Sequence, residues 1–282
     1  MTITFFTTFN DHGFTLYGKQ WLTTFLRNVD RDNPNIHVRV YTENVDTPFV
    51  HNRIEFLDFN ESIPEHSVWK QQFSIENSIT DQLIRLETVR FSHKAFAIQH
   101  ALNSIKTDYA IWLDGDCVFH KESYNGFIES IMGNNFLACQ LEENNSDDSG
   151  NHIESGILIF DMNHDDTKRF VEQFSINYKI ENLSSLNKPF DGYIINKTLS
   201  QLDVKYTNLN SGFGMPGIQG ETEHTFLHPE ISKRFTHNIG ATGKASYKNW
   251  NEVKYKNDAF NNLNNHLRLI GHKSSLVNER KR

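Results

Sequence analysis

Asp114 and Asp116 stand one glycine apart, directly after the apolar run Tyr109–Leu113 ("YAIWL"). That run has the length and residue types of a strand covered on both faces. Two carboxylates on one tight turn repel each other unless something positive lies between them. Their oxygens suit a hard divalent ion such as Mn²⁺ or Mg²⁺. Such an ion keeps open positions and can clamp a diphosphate. Asp-x-Asp also occurs in ordinary solvated turns. Here, however, the apolar character resumes at once with Cys117, Val118 and Phe119, and a solvated turn does not explain that.

Further residues have types that could complete such a site. Lys94 lies in "RFSHKAFAIQHAL", near the expected start of a helix. A lysine there is opposed by the helix dipole, and an anion in front of both offsets that cost. Its plain alternative is a lysine on a solvated face. Glu154 and Ser155 open the apolar stretch "ILIF", where they can bind a hydroxylated ligand or simply cap the strand. The turn "HNIGATGK" offers His237, Gly240, Gly243 and Lys244. Glycines let backbone N–H groups approach phosphate, lysine adds charge, and histidine can ligate a metal. Its alternatives are a structural histidine and an unremarkable glycine turn.

The elements that must position these residues alternate in type. "ITFFTTF" and "HVRVYTE" read as strands, as does "RIEFLDF". A helix is expected over 16–29 and a long helical region over 69–105. Phe91, Ala95, Ile98, Leu102 and Ile105 form one helical stripe within it. After the Asp-Gly-Asp strand come a short helix, a strand over 135–140, and the acidic Asn- and Ser-rich stretch 141–152. That stretch is expected to be a mobile loop on the acceptor side. Another buried strand over 155–162 and helices around 167–178 and 191–202 follow. The pattern is α/β, with a mainly parallel first half and a mixed second half. Ligands of open α/β sheets bind at the carboxyl ends of the strands, which is where Asp114 and Asp116 fall.

The chain has 282 residues and a net charge of −7. Its length allows one large domain with a substantial core. The negative charge argues against a binder of duplex nucleic acid. Two cysteines, Cys117 and Cys139, have no framework spacing. They are expected in the core, in a reducing, cytoplasmic setting. No apolar run approaches the roughly 20 residues that span a bilayer, and the N-terminus lacks the basic region of a signal peptide.

Taken in order, these pieces resemble GT-A-type glycosyltransferases, in particular the family-8-like group typified by glycogenin and the bacterial lipopolysaccharide galactosyltransferases. The resemblance is carried by "FTTFN", by "RFSHKAFAIQHAL", by "YAIWLDGDCVF", by "IESGILIF", by "FDGYIIN" and by "HNIGATGK". It covers about residues 1–250 and implies a single GT-A domain with a Rossmann-like nucleotide-binding half and a mixed acceptor half. Residues 251–282 are left as a polar, helical tail with a basic end. The resemblance implies that Asp114, Asp116 and His237 hold Mn²⁺ or Mg²⁺. It implies that Lys94, Gly240 and Lys244 meet the diphosphate, that Thr7, Thr8, Asn10 and Tyr41 lie near the nucleoside, and that Glu154 and Asp191 face the donor sugar. Two positions depart from the family pattern: Glu154 replaces an asparagine, and Gly192 replaces a glutamine. The last turn is one residue longer and lacks Pro-Trp.

The implied reaction moves a hexose from a nucleotide diphosphate sugar, most simply a UDP-sugar, to a hydroxyl on a glycan, a lipid-linked molecule or a protein. Retention of anomeric configuration is implied, with Glu154 or Asp191 stabilising an oxocarbenium-like centre or acting as nucleophile. Phosphatases with an aspartyl-phosphate intermediate also use Asp-x-Asp after a strand, although theirs lies near the N-terminus. A non-catalytic nucleotide- or sugar-binding module of the same fold is the third reading.

Overall fold

The computed structural model describes residues 1–237 apart from 30–32, 46–50, 125, 143–150, 184–185, 187 and 210–224. Gly240, Gly243, Lys244 and the expected tail over 251–282 lie outside the described residues, as does most of the acidic stretch 141–152.

The strands are β1 (Ile3–Asn10), β2 (Ile36–Glu43), β3 (Ile54–Asp58), β4 (Tyr109–Leu113), β5 (Cys117–Phe119), β6 (Leu137–Glu142), β7 (His152–Asp161), β8 (Thr207–Asn208) and β9 (Phe235–His237). Seven of them form one mainly parallel sheet in the order β3-β2-β1-β4-β7-β6-β8. β1, β2, β3 and β4 run parallel, whereas β7 is antiparallel to both β4 and β6. The expected α/β class with a mixed second half is what the chain adopts. β5 leaves this sheet and pairs antiparallel with β9.

Both faces of the sheet are covered, which accounts for the continuous apolar runs. Phe5, Ile111 and Leu113 pack into one core with Trp21 and Phe25. Their strand neighbours Phe6, Ala110 and Trp112 pack into the other with Ile98, Phe174 and Ile194. Successive side chains point to opposite faces, so a strand that fills two cores has no polar position to spare.

The helical region expected over 69–105 is two helices, Pro64–Glu76 and Gln82–Ser104. Pro64 suits the first position of the former. Asp81 caps the latter, its Oδ1 accepting from the backbone N–H of Leu83 and Ile84 at 2.8 and 3.1 Å. Lys94 is therefore in the middle of a helix, not near its start. The dipole argument made for it does not apply, and its partner must come from tertiary structure.

Candidate functional site

Strand β4 delivers Asp114 to the carboxyl edge of the sheet. The backbone N–H of Asp114 donates to the Gly156 carbonyl at 2.8 Å, and the N–H of Cys117 donates back to the Asp114 carbonyl at 3.1 Å. The turn between the two acids packs on an aromatic ring. A Cβ at Gly115 would lie 2.4 Å from Phe9 Cε1, so the residue between the aspartates has room for hydrogen only.

Asp114 Oδ1 accepts from the Trp112 indole at 2.7 Å and from Lys94 Nζ at 2.9 Å. Lys94 Nζ also donates to Ser155 Oγ at 2.9 Å and to the Ser155 carbonyl. Ser155 in turn donates to Asp191 Oδ2 at 2.7 Å, which lies 3.2 Å from Lys94 Nζ. Asp191 sits in the first turn of the helix Asp191–Leu202, the end where a carboxylate is favoured. Burial alone would lower the Lys94 ammonium, but Asp114 and Asp191 outweigh it and hold its pKa above the ordinary lysine value. Lys94 is 8% exposed, and its three donors already have acceptors. The expectation of a lysine facing an external diphosphate is corrected: it fastens β4, β7 and the Asp191 helix together beneath the acids.

His237, at the end of β9, completes the group. Its Nε2 lies 3.0 Å from Asp116 Oδ1 and 4.0 Å from Asp114 Oδ2. Burial lowers the imidazole pKa, and the acids Asp116, Asp114 and Glu154 more than reverse this, leaving it raised. Glu154 is enclosed at the same place. Its Oε1 accepts from the Gly156 N–H at 2.9 Å, whereas Oε2 is buried with no hydrogen-bond partner among the described residues. Burial pushes its carboxyl pKa up. A Cβ at Gly156 would meet Glu154 Oε1 at 2.8 Å and His237 Cε1 at 3.3 Å, so this glycine makes room for both.

Four carboxylates thus share one lysine and one imidazole, a surplus of negative charge even with the imidazole protonated. The residues fit a divalent cation: two acids converge on the same imidazole nitrogen, and a buried carboxylate oxygen beside them lacks a partner. Cys117, expected as plain core, also belongs here. One ligand atom each from Asp116, Cys117 and His237 lies within 4.8 Å of the others.

Beside the acids opens a cavity of about 390 Å³, lined among others by Thr8, Asn10, Tyr17, Glu43, Arg90 and His93. Thr8 and Asn10 line it, with Asn10 Oδ1 also capping the turn at Gly13 at 2.7 Å. Thr7 does not. It is fully buried, with no partner for its Oγ1 among the described residues, because it lies deeper in β1 than Thr8 and on the opposite face of the strand. Tyr41 borders the cavity, but its hydroxyl turns to His100 Nδ1 at 2.8 Å. Burial pushes its phenol up to about 12. Glu43, His93, Arg90, Tyr17 and Trp112 were missed as site residues. Glu43 had a signal, since it ends strand β2 beside β1. The others depend on how helices pack.

The departure at Gly192 is enforced by packing. A Cβ there would lie 2.3 Å from the Ile153 carbonyl oxygen, so no side chain fits where the Asp191 helix rests on β7.

The chain superposes on solved glycosyltransferases. For the bifunctional glycosyltransferase WbbM in its apo form, the TM-score is 0.55 at 13% identity, over 93% of this chain and 51% of WbbM. For the galactosyltransferase LgtC in complex with donor and acceptor sugar analogues, the TM-score is 0.52 at 12% identity, over 90% of this chain and 99% of LgtC. For apo GlyE of Streptococcus pneumoniae TIGR4, the TM-score is 0.50 at 11% identity, over 94% of this chain and 64% of GlyE. The chain therefore spans about half the length of WbbM. The fold is that of the GT-A glycosyltransferases. No protein-family model matches the sequence, and no curated protein does. Among the described residues, no helix is long and apolar enough to cross a membrane.

Proposed function

We propose that this chain is a metal-dependent hexosyltransferase that uses a nucleotide diphosphate sugar, most simply a UDP-sugar, as donor and a hydroxyl as acceptor. The observation that carries the reading is the surplus of carboxylates at the end of β4, bordering a cavity that the ends of β1 and β2 also line. Asp114, Asp116 and His237 would hold Mn²⁺ or Mg²⁺. When bound, the ion supplies Lewis-acid stabilisation of the charge that builds on the leaving diphosphate.

The protein's own part is positional. Lys94 ties Asp114 and Asp191 together and orients them from below through its ammonium. Asp191 and Glu154 cluster with Asp114 around Lys94 and outside the cavity lining, and they are proposed to face the sugar of a donor anchored at Asp114. A carboxylate there stabilises positive charge developing on the sugar. Ser155 and Lys94 hold Asp191 in place for that task, at 2.7 and 3.2 Å from its Oδ2. Gly240 and Lys244 are proposed, as the sequence implies, to meet the diphosphate. The acceptor is proposed to be a glycan, a lipid-linked molecule or a protein.

Titration calorimetry with UDP and Mn²⁺ tests this. Binding is expected with the ion, and is expected to vanish with EDTA and in Asp116→Asn. Equal affinity with and without metal, or in the variant, would overturn the metal-dependent reading.

A further inference from the structure

The register of the small sheet places Cys117 opposite His237. Directly opposed residues of an antiparallel pair carry their side chains on one face, with Cβ atoms about 4.5–5.5 Å apart. The pairing of β5 with β9 therefore brings a thiol to an imidazole. Asp116 immediately precedes the thiol, and its Oδ1 lies 3.0 Å from His237 Nε2. One ligand atom from each of these three side chains lies within 4.8 Å of the other two. Bonds of about 2.0–2.3 Å around a tetrahedral ion put neighbouring ligands about 3.3–3.8 Å apart. Closing on an ion thus needs any two ligand atoms to approach by at most about 1.5 Å.

The chemistry of this trio differs from that of the acid pair. Asp114 and Asp116 together offer oxygen to a hard ion, whereas Asp116, Cys117 and His237 offer oxygen, sulfur and nitrogen. A set containing thiolate selects softer ions. We infer that this corner of the site takes a thiophilic divalent cation, Zn²⁺ or Co²⁺, on Asp116, Cys117 and His237. The thiol proton leaves to solvent as the metal–sulfur bond forms, so each ion bound releases one proton from Cys117. The inference rests on the proposed metal site for two of its ligands and adds the third ligand and the class of ion. Because Asp116 and His237 are shared, Zn²⁺ and Mn²⁺ exclude each other. Cys117 is 1% exposed, so the ion arrives from the cavity side, which Asp116 borders.

Cobalt reports the ligand set directly. Thiolate bound to Co²⁺ gives an intense near-ultraviolet charge-transfer band that oxygen and imidazole ligands do not give. Adding Co²⁺ to the chelator-treated full chain should produce that band together with visible ligand-field bands. The near-ultraviolet band should vanish in Cys117→Ser and in Cys117→Ala, with melting curves confirming that each variant is folded. One equivalent of Zn²⁺ should displace bound Mn²⁺, seen as release of the free-Mn²⁺ signal by electron paramagnetic resonance. Visible bands without the charge-transfer band would overturn the sulfur ligand and leave the divalent-cation reading standing. So would Mn²⁺ binding with no Co²⁺ binding. A band that persists in folded Cys117→Ala would also overturn it, since the chain's other cysteine is Cys139. Binding of neither ion would remove the inference and the reading beneath it together.

Discussion

Lys94 behaves as a structural cation placed inside the site. Its ammonium is shared between Asp114 and Asp191 and is almost out of contact with water. Removing one partner of such a buried arrangement leaves the other charges uncompensated, at a cost of about 3–5 kcal/mol. Lys94→Ala is therefore expected to lose about that much stability by urea unfolding, besides losing transfer activity. A loss below about 1 kcal/mol would return Lys94 to the solvated face. Thr7 tests the opposite case. Its buried hydroxyl has no partner among the described residues, and an unpaired buried polar group costs about 1–3 kcal/mol. Thr7→Val should leave stability unchanged or raise it by about 1 kcal/mol, with UDP affinity unaltered. A clear fall in affinity would place Thr7 at the nucleoside after all.

At the scale of elements, the helix Gln82–Ser104 joins the site to a histidine stack. His66, on the helix Pro64–Glu76, is fully buried. Ser92 donates to the Val89 carbonyl at 2.7 Å, so it accepts from His66 Nε2–H, also at 2.7 Å. His66 Nδ1 is buried with no partner among the described residues. A second proton would put an unpaired charge between Trp69, Phe96 and His93. Burial, with His93 and Lys70 nearby, accordingly lowers its pKa to about 3. The unfolded chain takes up this proton near pH 6.5 and the folded chain does not, so stability falls as pH drops below that value. At pH 5 the loss from this residue is about 2 kcal/mol. Urea unfolding at pH 7 and pH 5 should show it, and His66→Asn should flatten the difference. An unchanged slope in the variant would mean that His66 is protonated in the folded protein.

At the scale of the molecule, the carboxylate surplus makes the free protein hold like charges together at the sheet edge. Ligands that bind only the folded state stabilise it by mass action, by about 2.7 kcal/mol at a hundredfold excess over Kd. For a chain of this size each kcal/mol raises the melting temperature by roughly 2 °C. Mn²⁺ with UDP is expected to raise it by roughly 5 °C, and the acid-removing variant Asp116→Asn should lose the shift. A shift of equal size in that variant would move the ligand elsewhere.

Several features follow from the sequence alone because their causes are local. The apolar run before Asp114 makes a strand covered on both faces wherever it is placed. Two acids on one tight turn lie close together whatever surrounds them. The stripe through Ala95, Ile98 and Leu102 makes a helix that lies on the sheet. The α/β class and the acid pair at a strand end were therefore legible from residue types and periods. Other features belong to the tertiary structure, because they depend on which distant segments pair. Reversal of β7 against β4 brings Ser155 and, through the helix resting on it, Asp191 to Lys94. Departure of β5 from the main sheet to join β9 brings His237 to Asp116 and sets Cys117 beside it. The strand face and the distance from the carboxyl end of β1 together decide that Thr8 reaches the cavity while Thr7 does not. Periodicity says what an element is. Only long-range pairing says which face meets which, and that pairing turns separate acids, a lysine, a thiol and an imidazole into one site.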